Sequence, residues 1–225
     1  MIRGAATLAL LLLAATFLRA GEVLDGIAVT VNGHVILQSD WQDEVRYECF
    51  VADKPPQAIT PEERRSALGR LIDQELLREQ ISPTELKPPS TEEIEKQFET
   101  VKSDYARDHA SQPWGAALAS YQLTEAGIKN HIALELTQLR LVDAHLRPSI
   151  QVDAAAVAAY YKDHLTTPPA AGGRQITLKE ATPKIRELLT QEKMNELLGP
   201  WLESLRSQAQ IKMFAPDFPE TQGQP

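Results

Sequence analysis

Apolar residues recur at helical spacing through most of this chain and alternate at strand spacing only near its two ends. Residues 26–31 alternate, with Ile27, Val29 and Val31 predicted on one face of a strand. Asn32-Gly33 follows, and both residues tolerate the positive φ angles of a tight hairpin turn, so residues 35–37 are predicted to return as a second strand. Ser39 is expected to cap a helix that runs to about residue 50, with Asp40, Asp43 and Glu44 suited to its electropositive start. Thr60-Pro61-Glu62-Glu63 and Ser90-Thr91-Glu92-Glu93 both read as capping boxes. The first opens a helix carrying Leu68, Leu71, Ile72 and Leu76; the second opens one striped by Ile94, Phe98, Val101 and Tyr105.

Residues 108–114 read as a loop and 116–121 as one or two helical turns. Thr124 caps a long helix, 125–146, with a stripe of Ile128, Ile132, Leu136, Leu139, Val142 and Leu146; Leu134 and Leu141 widen it, which predicts cover on two sides. Asp153 caps a helix over 154–165 containing Val157, Tyr160 and Tyr161. Residues 166–175, rich in proline and glycine, read as a linker. Thr177 then caps a helix over 178–207, which Pro183 is expected to kink or restart. Residues 209–214 read as extended, with Ile211 and Met213 on one face. A lone hairpin is marginal in water, so residues 210–214 are predicted to add a third strand to it. The expected fold is mainly α, with a small antiparallel β element formed by the N-terminal hairpin and a C-terminal strand.

The first twenty residues change the picture of where this fold works. Arg3, the apolar run 5–17 and Leu18-Arg19-Ala20 have the form of a secretory signal peptide cleaved near Ala20. The run is about 13 residues, short of the roughly 20 that a spanning helix requires. Export is therefore expected, without stable membrane insertion. The chain has 23 Lys and Arg against 31 Asp and Glu. Arg3 and Arg19 leave with the leader, so the mature balance is 23 less 2 against 31, about −10. That sign disfavours nucleic acid and anionic lipid as partners. Cys49 is the sole cysteine, which excludes an intramolecular disulfide and suits a small buried apolar residue.

The chemistry-bearing residues are sparse. His34, His109, His131, His145 and His164 form no metal-binding spacing, and His131 with Glu135, one helical turn on, reads as a surface pair. Ser39 and Ser120 lack a nucleophile-elbow context. Glu92, Glu93, Glu95 and Glu99 read as a solvated acidic face. No catalytic, metal or cofactor site is expected. What remains is surface for a polypeptide. Most large aromatics at helical spacing belong to a core; Trp114, placed in a loop, is the leading candidate for contact with a bound chain, with Tyr121, Phe98 and Tyr105 as the others.

The stretch from Asp25 to Asp40, with Val31-Asn32-Gly33, Ile36 and Ser39-Asp40 at its motif positions, resembles the opening hairpin and first helix of the SurA family of periplasmic chaperones. Leu71-Ile72-Asp73-Gln74-Glu75-Leu76-Leu77 is similar to that family's second helix, and the later helices follow in its order, over roughly residues 23–214. Residues 176–214 are similar to the helix and strand that follow a parvulin-type prolyl isomerase domain. Here only residues 166–175 occupy that domain's place, and none of the family's isomerase residues has a counterpart. The domain reading is accordingly a signal peptide (1–20), a helical chaperone-like region (21–165), a linker (166–175), a completing helix and strand (176–214), and a disordered tail (215–225). The resemblance implies an ATP-independent holdase for unfolded polypeptides, chiefly outer-membrane β-barrel precursors. A prolyl isomerase with residual activity, and an envelope adaptor docking one folded partner, are the alternatives.

Overall fold

A computed structural model describes residues 25–81, 86–109, 111–165 and 176–214. The expected leader, linker and tail lie outside these residues. The chain order is β1 (Ile27–Val31), β2 (His34–Leu37), α1 (Gln38–Val51), α2 (Pro61–Glu79), α3 (Thr91–Asp108), α4 (Trp114–Ser120), α5 (Glu125–Leu146), α6 (Ala154–Leu165), α7 (Leu178–Gln208) and β3 (Ile211–Met213). The fold is mainly α with one small antiparallel sheet, as the hydrophobic pattern predicts.

The sheet order is β2-β1-β3, so the C-terminal strand pairs with the first strand and leaves it central. Asn32 (φ 50°) and Gly33 (φ 89°) make the hairpin turn. Asn32 also ties the ends together. Its backbone N–H donates to the Gln210 carbonyl (2.9 Å), and its Oδ1 accepts from the Gln210 N–H (2.7 Å). Its Nδ2 donates to Glu79 at the end of α2 (2.6 Å). One turn residue therefore fixes the hairpin, the C-terminal strand and the second helix.

Three local expectations fail for identifiable reasons. Ile27 is not on the inner face: the β1–β2 register shifts between Ile27 and Val29, so Ala28 and Val29 are both buried and Ile27 turns outward. Ser39 is not the helix cap. Helix α1 starts two residues earlier than a Ser39 cap would place it, behind Leu37, whose N–H is taken by the Asp40 carboxylate (2.9 Å), while the Ser39 hydroxyl bonds to Asp25. On α5, Leu134 and Leu139 are exposed. The buried face of that helix begins at Ile128 and Ile132 and continues at Leu141 and Leu146, because the helix packs on both α3, which Lys129 and Arg140 bond, and α7, where His145 stacks on Trp201.

The capping predictions at Thr60, Ser90, Thr124 and Thr177 hold, each side chain accepting from the N–H three residues on. The main core gathers Val29 and Val31 from β1, Trp41, Cys49 and Phe50 from α1, Leu68 and Leu76 from α2, Phe98 from α3, and Ile128 and Ile132 from α5. A second, smaller cluster joins Val157 of α6 to Ala181 and Ile185 of α7. Helix α7 runs unbroken through Pro183 and Pro200 and reaches from the small cluster to the main one, where Leu205 packs. Arg206 near its end bonds Asp73 (2.6 Å) and the Gly69 carbonyl (3.0 Å) of α2.

Candidate functional site

Helices α1, α2, α3 and α5 leave an open groove of about 680 Å³ between them. Its apolar lining comes from Tyr47, Phe50 and Val51 of α1 and Val101 and Tyr105 of α3. Val51 is 66% exposed and forms an apolar lip. The rest of the lining is strongly acidic: Glu44, Glu48, Asp53, Asp104, Asp108 and Glu135, against Arg70 and His109.

The helical repeat builds this groove. Glu44, Tyr47, Glu48 and Val51 fall three and four residues apart on α1, so they share one face. A neighbouring face of the same helix carries Trp41, Val45 and Cys49 into the core. Burial pushes the Cys49 thiol up from its ordinary value, which keeps it unreactive. Across the groove, Tyr47 stacks face to face on His131 (3.9 Å between ring centroids) and donates its hydroxyl to Glu135 (2.9 Å). Burial and the neighbouring Glu135 hold the Tyr47 phenol protonated well above its usual range.

Glu44 is the unusual member. It is only 5% exposed, and its Oε2 has no hydrogen-bond partner. Burial first, then the neighbouring Glu48 charge, pushes its carboxyl up to about 7. His131 Nδ1 stands 3.6 Å from that oxygen, but burial pushes the imidazole down as well. Both partners are thus driven toward their neutral forms, and the contact is not a strong ion pair. Arg70 is engaged by the Glu48 carboxylate through two N–H groups.

The four aromatic residues singled out in the sequence come together, though not all at the surface. Phe50 is their hub, with Tyr105, Trp114 and Tyr121 at 5.5, 5.7 and 5.6 Å between ring centroids, and Phe98 meets Trp114 at 5.8 Å. Phe98 and Tyr121 are interior residues. Trp114 opens helix α4 rather than sitting in a loop, is half-buried, and donates its indole N–H to Glu125 (2.9 Å). Only Tyr105 lines the groove itself, with its hydroxyl held by Gln112 (3.0 Å). Tyr47, Glu44 and Glu135 were missed. The clue was the His131–Glu135 spacing, which reads as a surface pair until Tyr47 is seen inserted against both.

A second hollow of about 340 Å³ lies on the other side of Glu44, walled by Ile36, Leu71, Ile81 and Leu134. Among the described residues no group of three or more His, Cys, Asp or Glu is placed to hold a metal ion, and no helix is long and apolar enough to cross a membrane. No family model and no curated protein matches the chain.

Proposed function

We propose that this protein is an exported, ATP-independent holdase of the SurA type that shields unfolded polypeptides in the periplasm, outer-membrane β-barrel precursors foremost. The observation that carries the reading is the open groove floored by Tyr47, Phe50, Val51 and Tyr105. It offers contiguous aromatic surface to an extended chain, and burial of apolar area is the driving force such a client would supply. The groove is wide at the mouth and built on helices, which suits loose recognition of many sequences. The likeness of 25–40 to the family's opening hairpin and helix, and the return of β3 to that hairpin, are the further support. Release then follows from mass action as the client folds elsewhere.

The test is light scattering from a β-barrel protein diluted out of urea, without ATP, in the presence of the purified mature chain. Suppression near one equivalent is expected. Scattering equal to that with an inert acidic protein of the same charge ends the proposal. The isomerase alternative has its own readout, turnover of a chromogenic proline peptide above the uncatalysed rate.

A further inference from the structure

The groove is not merely apolar. Its carboxylates divide into two sets. Glu48 is paired with Arg70, Asp53 with His109 (3.1 Å), and Asp104 and Asp108 with Arg107 (2.9 and 3.2 Å). Glu44 and Glu135 have no lysine or arginine among the described residues within ion-pair distance. These two sit on facing helices, α1 and α5, with the Tyr47 ring between them and Tyr105 across the groove. A buried carboxylate with an unsatisfied oxygen is a costly arrangement in a folded protein, and each such group calls for an explanation. Resting here on the polypeptide-binding reading, we infer that the groove seats a lysine or arginine side chain of the bound polypeptide, its cationic head between Glu44 and Glu135 and its methylene stem along Tyr47 and Tyr105.

Each part of that ligand has a matching surface. The alkyl stem of Lys or Arg packs on apolar area while its head seeks charge. Aromatic faces attract the cation. The Tyr47 hydroxyl already occupies one lone pair of Glu135 and leaves the other carboxylate oxygen for the ligand. An anionic segment would instead meet the uncompensated Glu135 at the rim and an acidic excess in the lining, and be repelled. The chaperone groove is therefore selective for stretches in which basic and apolar residues alternate.

The experiment uses fluorescein-labelled twelve-residue peptides that alternate phenylalanine or leucine with lysine, with glutamine or with glutamate, titrated against the mature chain by anisotropy at low salt. The lysine peptide is expected to bind at least about tenfold tighter than the glutamine peptide, and the glutamate peptide weakest. Glu135→Gln, at the exposed rim, should remove most of that advantage, read as the ratio of lysine-peptide to glutamine-peptide affinity. Glu44→Gln should do the same, and circular dichroism establishes that each variant is folded. The paired control Glu92→Gln with Glu99→Gln removes two charges from the outer face of α3 and should leave the lysine preference intact.

Equal affinity for the lysine and glutamine peptides overturns the inference. So does an equal loss in the α3 control, which would make the effect one of net charge alone. Failure to suppress barrel-protein aggregation, with the lysine preference retained, removes the holdase reading and leaves the cation site standing.

Discussion

The molecule contains two unequal cores joined by one helix. The main body packs the sheet, α1 to α5 and the end of α7 around many fully buried side chains. The outlying pair, α6 with the start of α7, buries only Val157, Ala181 and Ile185, and leaves Leu165, Leu178 and Leu188 partly in water. Two helices alone bury little apolar surface, so this pair has little to set against the conformational entropy of ordering it. Its stability derives from α7, which is anchored at its far end by β3 and Arg206. The first expectation follows. Leu68→Ala in the main body lowers global stability by about 3–4 kcal/mol, read from urea denaturation. Ile185→Ala reduces amide hydrogen-exchange protection in α6 and the first turns of α7, with little change in the main transition. A global loss of equal size from both variants would mean a single cooperative unit.

Removing Gln210 onward attacks the anchor rather than either core. It strips β3 from β1, the Gln210 bonds from Asn32, and the half-buried Ile211 and Met213 from the main cluster. A loss of about 2–3 kcal/mol is expected from that area and those bonds together. Protection should fall in the 27–37 hairpin, which the deletion does not touch in sequence. Unchanged thermal unfolding would show that the end-to-end pairing contributes nothing.

The main body was the more legible of the two in sequence. Its capping boxes, its Asn-Gly turn and the period of its helices are local signals, and Thr60, Ser90 and Thr124 cap where they predict. The joining of β3 to β1 was legible because an isolated hairpin needs a third strand. What periodicity could not show was where one helix changes partners. On α5 the buried face turns between Ile132 and Leu141, so the stripe through Leu139 fails. The groove was half legible. Tyr105 stood out as a large aromatic, but Glu44 looked like a helix-start acid until α5 covered it. A bulge such as that at Ile27 leaves no trace in an alternating run.

Charge separates the two regions further. The buried acids of the described residues, Glu44 and Glu75, are both in the main body. Tyr47 and Glu48 on its own helix, Arg70 on α2, and His131 and Glu135 on α5 face Glu44. The smaller hollow, which Glu44 also lines, adds His34, Asp40, Asp43, Glu75 and Arg78. With its carboxyl raised from 4.5 to about 7, the folded form holds a proton that the unfolded form has released between those values. Stability from this group is therefore complete below 4.5, falls as pH rises toward 7, and stays reduced above it. Glu44→Gln removes the titration. Its stability relative to the parent should improve by about 3 kcal/mol between pH 4.5 and pH 8, measured by urea denaturation at each pH. A pH-independent difference would place the carboxyl in contact with water.

The smallest effect is expected at an exposed charge contact between the two regions. Arg147, just past α5, bonds Asp143 (2.7 Å) and reaches Glu187 of α7 through both terminal nitrogens (3.0 and 2.9 Å). Each partner lowers the energy of the guanidinium cation and raises its pKa above the ordinary range, and Arg147 in turn lowers the Glu187 carboxyl. All three side chains are nonetheless solvated, and exposed pairs are screened by salt and offset by side-chain entropy. Arg147→Ala should leave the global denaturation midpoint where it is, while α7 near Glu187 exchanges its amides somewhat faster at low salt and at the parent rate in high salt. A fall in the global midpoint would make this surface contact, and not the buried end of α7, the joint between the two cores.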